Sequence, residues 1–199
     1  MANKNNVFKD YDIIADWFDQ NRSQELFEKA YLDKVITYLP VGATILDLGC
    51  GTGQPIAQYC IERGFAIVGI DGSVQLINRA QKYFPLQTWI VGDMRQIDLR
   101  QQFGAIIAWH SLFHLPVQDQ RNMFAIFAKH VTSGGILLFT SGPQAGEVWS
   151  DNGGQMLYHA SLSADEYKSL LAQYGFVLLS HTVEDPHCGG ATVWMAQKN

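Results

Sequence analysis

The sequence predicts an α/β fold, with helices on both faces of a largely parallel sheet and an antiparallel hairpin at its end. Three observations carry that prediction. Short apolar runs recur along the 199 residues and alternate with stretches whose apolar side chains repeat at helical spacing. One run, Ile45-Leu46-Asp47-Leu48, empties at once into Gly49-Cys50-Gly51-Thr52-Gly53-Gln54-Pro55, as a buried strand turning sharply into a helix would. The last two runs, residues 176–184 and 191–197, are separated only by Asp185-Pro186-His187-Cys188-Gly189-Gly190, too short a link for a parallel crossover.

Taken in order, residues 10–39 carry helical stripes at Tyr11, Ile14, Trp17 and Phe18 and again at Phe27, Tyr31, Val35 and Tyr38. Two helices are expected there, parted at residues 21–23, with Ser23 as the N-cap of the second. Residues 43–46 read as a central strand, and Pro55 suits the first turn of the helix that follows, which Ile56, Ala57, Cys60 and Ile61 stripe as far as Gly64. A strand over 65–70 ends in Asp71. A helix with Leu76, Ile77, Ala80 and Phe84 stops at Pro85, and a strand over 88–91 runs into Gly92-Asp93-Met94. Residues 103–109 form a further strand that opens into His110-Ser111-Leu112-Phe113-His114. Met123, Phe124, Phe127 and Val131 stripe the next helix, and Ser133-Gly134-Gly135 turns it into a strand over 136–140. Residues 141–155, glycine-rich and containing Trp149, are expected to be an irregular loop over the sheet edge, of the kind that carries specificity. Tyr158, His159 and Ser161 follow. Ser163 to Glu166 then forms a capping box opening a helix that ends at Gly175.

Length suits one domain with a full core. Hydrophobic content of 47% and charged content of 17% are ordinary for a globular chain, with disorder expected only in residues 1–6. The net charge of −5 and the lack of any Lys/Arg cluster argue against a nucleic-acid substrate. No apolar signal core or membrane-length run is visible, so no membrane role is expected and cytoplasmic residence is the default. Cys50, Cys60 and Cys188 lack disulfide or metal-ligand spacing.

The spacing of the glycines bears on the ligand. A dinucleotide fingerprint needs a third glycine at position 54, where Gln54 stands. Asp47, two places before the first glycine, would repel a pyrophosphate and suits a cation. Asp71 and Asp93 likewise follow strand ends, and three acids at one edge of a sheet are not a demand of packing. The pattern D-x-G-x-G-x-G resembles the first motif of class I S-adenosylmethionine-dependent methyltransferases, and the resemblance in element order extends over most of the chain.

That resemblance implies a Rossmann-like three-layer sandwich with a seven-stranded, mostly parallel sheet whose last strand is antiparallel. It further implies one domain, with residues 1–40 as a helical lid, 41–142 as the cofactor-binding core and 143–199 as a substrate-side loop and terminal helix-hairpin. S-adenosylmethionine is the implied cofactor. In that role Asp47 steadies the amino group, the run Gly49, Cys50, Gly51 and Gly53 the methionyl portion, Asp71 the ribose, Asp93 and Met94 the adenine, and Tyr11 lies near the sulfonium, with Gly72, Ser73 and Trp109 as further cofactor-binding positions. The acceptor is expected to be a small, partly apolar molecule, given Trp109, Phe113, Trp149 and Tyr158 near the mouth. His110, His114, Tyr158 and His159 are the candidates for contact with it or for taking its proton. His114 could equally orient its loop through a backbone hydrogen bond. His110 and His114 also have the spacing of a metal pair, but no third ligand is placed by spacing and no metal is expected. Two rival readings remain open: a non-catalytic module that binds the same cofactor, and an NAD-dependent reductase, which Gln54 and the terminal hairpin disfavour.

Overall fold

The computed structural model describes residues 4–23 and 25–199. Residues 1–3 of the segment expected to be disordered lie outside the described residues. In chain order the elements are α1 (Val7–Ile13), α2 (Ala15–Asn21), α3 (Lys29–Thr37), β1 (Thr44–Leu48), α4 (Ile56–Glu62), β2 (Ala66–Asp71), α5 (Val74–Tyr83), β3 (Thr88–Val91), β4 (Phe103–Ala108), α6 (Val117–His130), β5 (Val131–Ser141), β6 (Gly146–Asn152), β7 (Gln155–Ser161), α7 (Ala164–Gln173), β8 (Phe176–Asp185) and β9 (Ala191–Lys198).

Seven strands form one sheet in the order β3-β2-β1-β4-β5-β9-β8. β1 sits between β2 and β4, parallel to both, with Asp47 opposite Gly69 and Ile107. β9 inserts between β5 and β8, antiparallel to each, so it alone runs against the sheet. Alternate residues of each strand feed two cores, which explains why the central strands read as unbroken apolar runs. On one face Leu32, Val35, Ile56, Ile77 and Ala80 of α3, α4 and α5 pack on Ile45, Ile67 and Ile107. On the other, Phe124, Phe127, Tyr167 and Leu171 of α6 and α7 pack on Leu46, Leu48, Ile106, Phe139 and Trp194.

Several expectations are corrected. The first N-terminal stripe is two short helices that meet at Ile14, since apolar spacing is blind to a single non-helical residue. Ser23 caps no helix: its hydroxyl accepts the Glu25 N–H at 3.1 Å, and α3 starts only at Lys29. Val131 opens β5 rather than closing α6, and Ser133-Gly134-Gly135 lies within that strand where its pairing with β4 is irregular. Within residues 141–155, expected to be irregular, strand β6 forms and pairs with β7 as an antiparallel hairpin over 146–161. Its two-residue turn is Gly153-Gly154, both at positive φ, as such a tight hairpin turn requires. The alternation was invisible because β6 is largely solvent-facing and so carries no apolar face.

Candidate functional site

The parallel strands end at one edge, and the acids at their ends face a common cavity of 330 Å³. Of the residues singled out in the sequence, Tyr11, Asp47, Gly49, Cys50, Gly51, Asp71, Gly72, Asp93, Met94, Trp109, His110, His114 and His159 line it. Gly53, Ser73 and Tyr158 do not. At Gly53 a Cβ would stand 2.8 Å from the Trp89 ring and 3.2 Å from Phe84, so that glycine answers to packing. Ser73 caps α5, and its N–H donates to Asp71 at 2.8 Å. The Tyr158 side chain is buried beneath Trp149, leaving its carbonyl to face His114.

The glycine loop turns its N–H groups inward. Those of Gly49 and Cys50 donate to the Ile70 carbonyl at 2.7 and 3.1 Å, that of Gly51 to the Asp71 carboxylate at 3.0 Å, and that of Gly53 to the Cys50 carbonyl at 2.9 Å. These donors are therefore spent, and the loop is not the N–H cradle that binds phosphates elsewhere. Gly49 is needed because a Cβ there would fall 2.3 Å from that of Ser111, whose hydroxyl donates to the Leu48 carbonyl at 2.6 Å.

Charge in the cavity follows from burial. Burial raises Asp47 to a pKa of about 7, with Asp71 adding to the rise and Arg22 opposing it. Asp71 is also raised by burial, against the hydrogen bonds it accepts from Ser73 and Gly51. Those bonds fall on separate oxygens, so each keeps a lone pair for a further donor. Burial pushes Asp93 up, but the Arg95 fork outweighs it and holds the carboxyl below its ordinary value. Arg95 grips Asp93 at 2.6 to 3.0 Å, Asp119 at 2.7 Å and the Asn5 carbonyl at 2.8 Å.

Three imidazoles gather along the same cavity. His114 bonds through Nδ1 to the Tyr158 carbonyl and through Nε2 to the Tyr11 hydroxyl, each at 2.9 Å. Burial pushes its pKa down to about 3, so it is neutral. His110 sits at φ 49, its N–H donating to Thr140 Oγ1 at 2.8 Å, and its pKa is pulled down to about 4 by burial first, then by Arg22 and His159. The His159 ring lies 4.7 Å from that of His114 and 5.3 Å from Phe113. Among the described residues no cluster of three or more His, Cys, Asp or Glu is placed to hold a metal.

Sequence reasoning missed several lining residues. Phe8 covers Gly72, where a Cβ would fall 2.4 Å from its ring. Arg22 lines the wall while its Nε donates to the Gln54 carbonyl at 3.2 Å. Ser150 and Asn152 arrive on β6, which the Gly-Gly turn could have revealed. Nothing local marks Phe8, Arg22 or Arg95, because tertiary contacts alone bring them here.

A family model described as a methyltransferase domain matches residues 18–181. A dTDP-3-amino-3,4,6-trideoxy-alpha-D-glucopyranose N,N-dimethyltransferase of Streptomyces venezuelae is 28% identical over 133 residues, spanning 65% of this chain and 56% of the relative. The chain thus spans about half the length of the curated relatives it matches. Among solved structures, an S-adenosylmethionine-bound amino pentose methyltransferase from Micromonospora echinaspora superposes with a TM-score of 0.72 at 18% identity, over 93% of this chain and 95% of that one. An S-adenosylmethionine-dependent methyltransferase from Clostridium acetobutylicum gives 0.73 at 12% identity, over 96% and 98%. These two share the fold.

Proposed function

Because the chain belongs to the methyltransferase domain family, we propose that it is a class I S-adenosylmethionine-dependent enzyme that methylates a small-molecule acceptor. One observation carries this reading: Asp47 and Asp71, on adjacent strands, enter the same cavity while the N–H groups of the intervening glycine loop bond inward. Such a set of acceptors fits a ligand bearing an ammonium group and a vicinal diol and no phosphate.

In this reading Asp47 receives the amino group, and Gly49 to Gly51 pass along the methionyl chain. The free lone pairs of Asp71 accept both ribose hydroxyls. Asp93, already forked by Arg95, accepts the adenine amino group, and Met94 packs on the ring. When bound, S-adenosylmethionine supplies a methyl group already activated by positive sulfur, so the chain's main contribution is approach geometry. Acceptor contacts fall to His110 and to His159, Ser150 and Asn152 of the hairpin, all of which line the cavity. Both nitrogens of His114 are already bonded, so a proton leaving the acceptor passes to His110, His159 or solvent.

Relatives named for amino sugars support a neutral amine as one acceptor class, and the neutral imidazoles are compatible with it. A net charge of −5 speaks against nucleic acid as the acceptor. No helix among the described residues is long and apolar enough to cross a membrane. The three free, buried cysteines suit a reducing, cytoplasmic setting.

Calorimetry with S-adenosylhomocysteine tests the site. Saturable binding is expected in wild type, weakened by about tenfold or more in Asp71→Ala and Asp71→Asn, since hydrogen bonds to a charged group are worth about 1.5–3 kcal/mol each. Unchanged affinity in both variants would remove Asp71 from the ribose site. Binding of NADH in its place would favour the reductase, and turnover of an amino-sugar panel separates an enzyme from a silent binding module.

A further inference from the structure

A second cavity, of 210 Å³, adjoins the first and shares Arg22, Trp109 and His110 with it. Its other walls come from segments to which the cofactor reading gives no role: the stretch between α2 and α3, through Glu25, Phe27 and Glu28, and the turn between β8 and β9, through Cys188. Tyr31 of α3 ties these sides together. Its hydroxyl donates to the Asp185 carboxylate at 2.6 Å, and its ring lies 6.1 Å from that of Trp109.

Glu28 stands just before α3 and is only 4% exposed, yet it lines this cavity. Arg22 Nη2 lies 3.6 Å from its Oε1, an ion pair too long for a hydrogen bond, while Arg22 Nε donates to the Gln54 carbonyl. Burial pushes the Glu28 carboxyl up, and its own backbone N–H and Arg22 offset this only in part. A carboxylate this buried gains from a further donor, most of all a charged one. Among the described lining residues two carry carboxylates, Glu25 and Glu28, against one guanidinium, and His110 is neutral. The surplus charge is negative. Phe27 and Trp109 add aromatic rings, which also attract cations.

We propose that this second cavity is the subsite for the far end of the methyl acceptor, and that it selects acceptors whose far end carries a positive charge, with Glu28 as the counter-ion. The proposal rests on the methyl-transfer reading above and adds a substrate class to it: small molecules with a nucleophilic group at one end and an ammonium-type cation at the other. His110 and Trp109 line both cavities, so one molecule passing them reaches into both. An anionic far end would face two carboxylates and is rejected.

Calorimetry on protein saturated with S-adenosylhomocysteine tests this with three probes, aminopentanol, pentanediol and hydroxypentanoate, which share a hydroxyl at one end of a five-carbon chain and differ only at the other. Aminopentanol is expected to bind about tenfold more tightly than pentanediol, the worth of one hydrogen bond between charged groups, and hydroxypentanoate more weakly than either. Glu28→Gln, close in shape, should bring aminopentanol to within about twofold of pentanediol. Glu25→Gln, at an exposed position on the rim, should lower the preference only about twofold to threefold. An unchanged affinity for S-adenosylhomocysteine shows that each variant is folded. Glu28→Asp should restore part of the preference. No binding of aminopentanol to the loaded wild type, equal or tighter binding of the uncharged or anionic probe, or an undiminished preference in Glu28→Gln overturns the subsite and leaves the cofactor reading intact. Failure of wild type to bind S-adenosylhomocysteine overturns both.

Discussion

Asp47 illustrates how one buried carboxyl ties ligand binding to pH. Burial first, then Asp71, raises it from 3.8 to about 7. Between those values the folded chain keeps a proton that the unfolded chain releases, so this residue's contribution to stability falls as pH rises through that window. A bound ammonium group reverses the preference, because it needs the ionised form. Affinity for S-adenosylhomocysteine is therefore expected to fall as pH drops below about 7, by up to roughly tenfold per unit, and to level off above it. Titrations between roughly pH 5.5 and 8.5 check this, and Asp47→Asn should bind weakly with a flat profile. The acids were legible in the sequence because each sits at a strand end beside a turn signal. Arg95, which clamps Asp93, was not, because its other partners, Asp119 and the Asn5 carbonyl, are distant in the chain.

The β6–β7 hairpin covers the cavity with few ties to the main sheet. Its turn seats on α2, where a Cβ at Gly153 would come within 2.7 Å of Trp17 at φ 58. At the other end the Tyr158 carbonyl bonds His114, and Gly142 donates to the Ser161 hydroxyl at 2.6 Å. Gly153→Ala should both strain the turn and push the tip off Trp17. Faster amide exchange is expected at Tyr158 and its neighbours, with cofactor affinity down several-fold and the global melting temperature shifted by only a few degrees. Loss of cooperative unfolding in that variant would show that the hairpin is part of the main core. The hairpin escaped sequence reading because an exposed strand of mixed polarity lacks alternation; the Gly-Gly turn was its one local mark.

In the molecule as a whole, the reversed strand β9 closes the fold. Trp194 on it is buried, stacked on Phe139 at 5.7 Å between ring centroids and on His181 at 3.5 Å, and its indole N–H donates to Ser141 at 2.9 Å. Trp194→Ala leaves a cavity in the core and removes one of the two hydrogen bonds of the Ser141 hydroxyl, which still donates to the Gly142 carbonyl at 2.8 Å, and about 3–5 kcal/mol of stability should be lost in denaturant titration. A small loss would mean that Phe139 and Tyr167 collapse into the space. By itself the sequence determined the alternation of strands and helices, the reversed final strand and the acids at the strand ends. Those features follow from local periodicity, turn chemistry and connection length, which neighbouring residues fix among themselves. Only the tertiary structure decided that Gly53 serves packing, that Ser73 works through Asp71, that the hairpin and Phe8 cover the cavity, and that His114 is spent on Tyr11. Those outcomes depend on contacts between residues as far apart as Tyr11 and His114, and such contacts leave no periodicity to read.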